Sequence, residues 1–117
     1  MEDYQLTLRK LAVRDERYIE GLLRNDRANP TLAGIDDRTQ ALVRIGALIA
    51  LQASPAAYME SVNSALRAGA SREEIVGTLI AVLQTVGVAR VVSAAPDLGL
   101  ALGYDVAAAL ELVENEH

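Results

Sequence analysis

The sequence predicts an all-α fold on three observations. Apolar residues recur at helical spacing along most of the chain, and no stretch alternates with period two between hairpin turns. Helix starts are marked: Ser54-Pro55 puts a capping hydroxyl before a proline, and Ser71 with Glu74 forms an S-x-x-E capping box. Gly69 stands where a helix end needs a left-handed residue.

Taken in order, residues 3–25 read as one or two amphipathic helices. Leu6, Leu8, Leu11 and Val13 fall near one stripe, and Tyr18, Ile19, Leu22 and Leu23 form a second. Arg24 to Ile35, with Asn25, Asn29, Pro30 and Gly34, reads as a loop. Asp37 is expected to cap the next helix, with Gln40 as its capping-box partner. That helix runs to about Gln52. Leu42, Ile45, Leu48, Ile49 and Leu51 make it apolar over most of its circumference, which suits a central position.

The helix over 55–68 is expected to bury Met59, Val62 and Leu66, with Tyr58 and Ala65 alongside. The following one, about 72–85, carries Ile75, Leu79, Val82 and Leu83, and Gly87 marks a break. Val88 to Ala95 reads as a further helical segment. Pro96 is expected to open another, since its missing N–H costs nothing in a first turn. Asp105 caps a last helix, roughly 106–115. Gly99 and Gly103 form a GxxxG whose spacing suits close helix contact.

The 117 residues support a single domain, with N-terminal helices and loop over 1–35 and a core over 37–111. There is no Trp or Phe, and the aromatics are Tyr4, Tyr18, Tyr58 and Tyr104. A core of Ala, Leu, Val and Ile buries little area per side chain, so self-association is expected to supply part of the burial. Sixteen acidic against 11 basic residues argue against nucleic acid or anionic membrane as the partner.

The absence of cysteine excludes disulfides, thiolate metal sites and thiol redox chemistry, and the only histidine is His117. No oxygen-rich calcium-type loop is visible, so neither metal nor organic cofactor is expected. The opening MEDYQLTLRK has no basic stretch leading into an apolar run. The longest uncharged run, Ile75 to Ala89, is too short and polar to span a bilayer. A cytoplasmic location is the expectation.

Candidate chemistry is sparse. Ser54, Ala57, Tyr58 and Ser61 share one helix face, which could present two hydroxyls and a phenol to a cavity. The plainer reading makes Ser54 a cap, Ser61 a small packing residue and Tyr58 core. Arg44 and Arg90 interrupt apolar segments. They could hold a carboxylate-bearing ligand in bidentate fashion, or form salt bridges at the surface or between subunits. Gln84 and Thr85 could donate to a ligand or satisfy a helix end. Glu60 falls on a polar helix face, and the pairs Asp36-Asp37 and Glu73-Glu74 sit where a helix N-terminus favours acids.

The segment SALRAGASREEIVGTLIAV, residues 64–82, combines a helix ending in LRAG with a Ser-capped REEI helix. With ALVRIGALIALQ upstream and VGVARVVSAAPDLGLALGYDVAAALE downstream, it resembles the carboxymuconolactone decarboxylase superfamily, which includes the alkylhydroperoxidase D-like proteins. The resemblance runs from Asp37 to Glu111, about two-thirds of the chain. It implies an all-helical alkylhydroperoxidase D-like fold with a central helical hairpin, and assembly into trimers or hexamers with pockets near subunit contacts.

The thiol members carry CxxCxxxH at the start of the central helix. The matching positions here are Ser54, Ala57 and Ser61, and the acid of the preceding helix falls near Ala41. The resemblance also implies a His at the position of Ser61 in the decarboxylase branch. Thiol peroxidase activity is therefore not expected. Two functions stand side by side. One is a decarboxylase-like protein that binds or converts a small carboxylated, lactone-like compound, using Arg44 or Arg90 for the carboxylate and Ser54, Tyr58 and Ser61 to shape the pocket. The other is a non-catalytic helical oligomer that serves as a binding or interaction scaffold.

Overall fold

The computed structural model describes residues 3–24 and 34–115. All regular structure among them is helical: α1 (Asp3–Ala12), α2 (Glu16–Arg24), α3 (Asp37–Leu51), α4 (Pro55–Arg67), α5 (Arg72–Val86), α6 (Val88–Ala101) and α7 (Val106–Asn115). The chain divides into two compact units, Met1–Asp36 and Asp37–His117. The expected loop lies, for residues 25–33, outside the described residues, as does His117.

In the first unit α1 packs on α2. The turn between them is closed by Asp15 N–H donating to the Lys10 carbonyl and Arg14 N–H to that of Leu11, with Arg14 left-handed at φ 56°. Asp15 then accepts from the Tyr18 N–H and caps α2. The Lys10 ammonium lies 5.0 Å from the Tyr18 ring centroid.

In the second unit α3 to α6 form a four-helix arrangement. α3 packs against α4 and α5, and α6 packs against the same two, so that α3 faces α6, and α4 faces α5, across the core. The two arms of the expected hairpin, α4 and α5, thus touch each other least and lie mainly against α6 and α3. The core is Ile45 and Ile49 of α3, Tyr58, Val62 and Ala65 of α4, Ile75 and Leu79 of α5, and Ala94 and Leu98 of α6. Tyr58 is its one aromatic and its largest fully buried side chain. Helix approach at the α3–α5 contact depends on Gly46, where a Cβ would stand 3.3 Å from Val82 Cγ1.

Most helix ends carry the residues the sequence assigns to them. Ser54 accepts from the Ala57 N–H, and Ser71 and Glu74 exchange both bonds of the capping box. Asp105 accepts from the Ala108 N–H. At Gly69, φ is 96°, and Ala70 N–H reaches the Ala65 carbonyl while Gly69 N–H reaches that of Leu66. Glu74 also pairs with Arg38 of α3. The backbone N–H of Ser71, first, and then Arg38 hold its carboxyl below the usual range.

Four expectations are corrected. α3 begins at Asp37 itself, so that side chain lies in the first turn, where the macrodipole favours it, and not at the cap. Pro96 does not open a helix; it lies inside a continuous α6. Ala94 and Leu98 on either side are both buried in the core, and that burial carries the helix through the lost N–H. Met59 is exposed, not buried. α3 is not sheathed on every side: Val43 and Leu51 face outward at 61% and 76% exposure. No described helix is long and apolar enough to cross a membrane.

Candidate functional site

Five polar side chains of the second unit meet at the end of α3: Gln52, Tyr58, Arg90, Ser93 and Asp97. That helix closes with Gln52 N–H donating to the Ile49 carbonyl and Ala53 N–H to that of Leu48, a Schellman arrangement that requires a left-handed residue. The residue is Gln52, at φ 54°, where glycine is the usual occupant. The next helix starts immediately, capped by Ser54, and its first turn places Tyr58 beneath the junction. The Tyr58 hydroxyl donates to the Leu48 carbonyl at 3.3 Å, so this oxygen accepts both a phenol and the Ala53 amide.

α6 supplies the other wall. Arg90, Ser93, Ala94 and Asp97 follow the i, i+3, i+4, i+7 spacing and therefore share one face. With Gln52, Ala53 and Tyr58 they line a shallow, open depression of about 40 Å³. Small-molecule pockets run to roughly 300–1,000 Å³, so this depression seats only one edge of a small ligand, the rest of which stays in solvent. Ala94 is its buried apolar floor. The Arg90 guanidinium, largely in solvent, donates from one Nη to the Ala50 carbonyl at 3.2 Å, where the α3 macrodipole favours a cation. Its remaining N–H groups are the positive element of the depression.

Asp97 is the negative one. It is half-buried and makes no ion pair among the described residues. Burial, first, and then the Asp97 charge push the Tyr58 phenol above its ordinary value, while the Ala53 amide acts in the opposite sense. The phenol therefore stays neutral near pH 7, with its proton committed to Leu48.

The structure separates the sequence candidates. Tyr58 and Arg90 meet in the depression; Ser54, Ser61 and Arg44 are not among its lining residues. Ser54 is exposed at its cap, Ser61 is buried in α4, and Arg44 is exposed on α3. Gln84, Thr85 and Glu60 are all exposed, and none of them lines it. Gln52, Ser93 and Asp97 were missed. For the α6 pair a signal existed: the spacing from Arg90 to Asp97 becomes visible once the helix is read through Pro96. Gln52 carries no sequence signal, since glutamine is an ordinary helix former. Ala41, at the position of the relatives' acid, is 6% exposed in the core. Among the described residues no three His, Cys, Asp or Glu side chains cluster as metal ligands.

Comparison with known proteins agrees with the resemblance read from residues 64–82. No curated protein and no solved structure matches the chain. The carboxymuconolactone decarboxylase family matches residues 16–96, from α2 through Pro96 of α6. With that match over most of its length, and with an all-helical fold, the chain belongs to the carboxymuconolactone decarboxylase family.

Proposed function

We propose that this family member binds a small carboxylated, lactone-like compound in the depression between the α3–α4 junction and α6, with Arg90 as the carboxylate anchor. The observation that supports the reading is the meeting of Arg90, Ser93 and Asp97 over a buried alanine floor, beside a strained Gln52. Backbone strain in a non-glycine residue concentrates at functional sites. Arg90 offers a carboxylate N–H donors in a fixed fork, and its bond to Ala50 holds that fork over the depression.

Thiol-dependent peroxide reduction is no part of this function, because the chain has no cysteine. The reading includes self-association, supported by exposed apolar pairs one turn apart on two helices of the core unit: Val76 and Ile80 on α5, Val88 and Val92 on α6.

The test is an NMR titration with γ-butyrolactone carboxylate, with carbon dioxide release followed in parallel. Shifts confined to the backbone resonances of Gln52, Ser93 and Asp97, weakened at least about tenfold in Arg90→Ala, are expected from loss of a charge-assisted bidentate contact. Carbon dioxide release would add lyase activity to binding. No response at those residues would overturn the site and leave the scaffold reading.

A further inference from the structure

Arg90 alone would accept any carboxylate; the depression has a second charged end. Asp97 lies seven residues further along α6, roughly 10 Å away along the helix axis at its Cα. Ser93 and Ala94 lie between them on the same face. No cation among the described residues pairs with the Asp97 carboxylate, and its charge is felt within the site, since it disfavours ionisation of the neighbouring phenol. Tyr58 cannot serve as its donor, because the hydroxyl proton goes to Leu48.

A ligand held by Arg90 and lying over Ala94 therefore brings its far end to an acceptor-only group. A hydroxyl or ammonium at that end gains a hydrogen bond to a charged partner. A second carboxylate meets like charge, which selects by repulsion.

We propose that Asp97 is the specificity-determining residue of this depression: it selects ligands that carry a hydrogen-bond donor at the end opposite their carboxylate, and it rejects dicarboxylates. This rests on the reading of Arg90 as the carboxylate anchor. Within the proposed class of small carboxylated compounds these are the short ones with a hydroxyl or ammonium at the far end, and a lactone-like ligand satisfies Asp97 only where its ring carries such a donor.

Three probes of matched length test it: γ-hydroxybutyrate, butyrate and succinate, titrated by NMR against the full chain at fixed ionic strength. In the wild type, γ-hydroxybutyrate is expected to bind about tenfold more tightly than succinate, a modest ratio because the site is open and screened. Asp97→Asn should bring the two within about twofold, chiefly by tightening succinate, while Arg90→Ala weakens all three. Asp97 is half-buried and without an ion pair, so the asparagine variant should fold, which its amide spectrum reports directly.

Equal binding of the two probes to the wild type, or a ratio unchanged in Asp97→Asn, overturns the selectivity. The anchor then still stands if Arg90→Ala weakens every probe. Failure of all three probes to shift Ser93 and Ala94 overturns both.

Discussion

Tyr58 shows how much one residue can be asked to do in a core without Phe or Trp. It fills the largest buried volume, and its hydroxyl completes the α3 terminus at Leu48. A phenol sealed this way has its folded-state pKa raised above the unfolded value near 10. The stability it contributes is therefore fully present below that unfolded value and is lost as pH rises through the higher folded one. Chemical denaturation followed from pH 8 to 12 should show this alkaline loss in the wild type and a shallower one in Tyr58→Phe. The phenylalanine variant should be less stable at pH 7 by about 1 kcal/mol, the net worth of one hydrogen bond. That figure stays small because Leu48 O keeps its bond to Ala53. An unchanged alkaline slope would show that Tyr58 ionises freely.

At the scale of elements, helix ends were far more legible than helix faces. Ser54, Gly69, Ser71 and Asp105 act as local chemistry dictates, because a cap is satisfied within four residues and needs no distant partner. The α3 end was harder to see: the same backbone motif that Gly69 provides is built at Gln52 from a residue that prefers to continue the helix. Left-handed backbone costs a non-glycine residue roughly 1–2 kcal/mol, part of which glycine's greater unfolded-state freedom offsets. Gln52→Gly should thus raise stability by about 0.5–1 kcal/mol, seen as a higher urea midpoint with the slope unchanged. A midpoint that does not rise would show that the glutamine side chain compensates for its backbone. Gly99 was read for helix contact and does make one: a Cβ there would stand 2.9 Å from the Tyr104 carbonyl oxygen and from Val106 Cγ2. Gly103, by contrast, serves the turn, at φ 90°.

For the whole molecule, apolar surface is the conspicuous quantity. Ile80 is 72% exposed and Val88 66%, on helices whose other faces fill the core. Alanine-rich helices approach closely but bury little, so the proposed association would add the area the single chain lacks. Sedimentation equilibrium should give a mass above that of one chain. Val76→Lys combined with Ile80→Lys should shift it towards the monomer, with helical circular dichroism retained because both positions face outward. A wild-type monomer at every concentration would remove the association.

The sequence by itself determined the helical class, the helix ends marked by Ser54, Gly69, Ser71 and Asp105, the family and the lack of cysteine in these 117 residues. Those follow from periodicity, from caps that act over a single turn, and from residue types that are simply missing. Tertiary structure decided what α6 is and what it faces. Pro96 looks like a helix start in isolation, and only the burial of Ala94 and Leu98 holds one helix through it, which sets Arg90 and Asp97 on a common face. It also decided that Ser54 and Ser61 stay out of the depression while Gln52 enters it. Those outcomes depend on which helix lies across the core, and spacing along one helix carries no information about its neighbour.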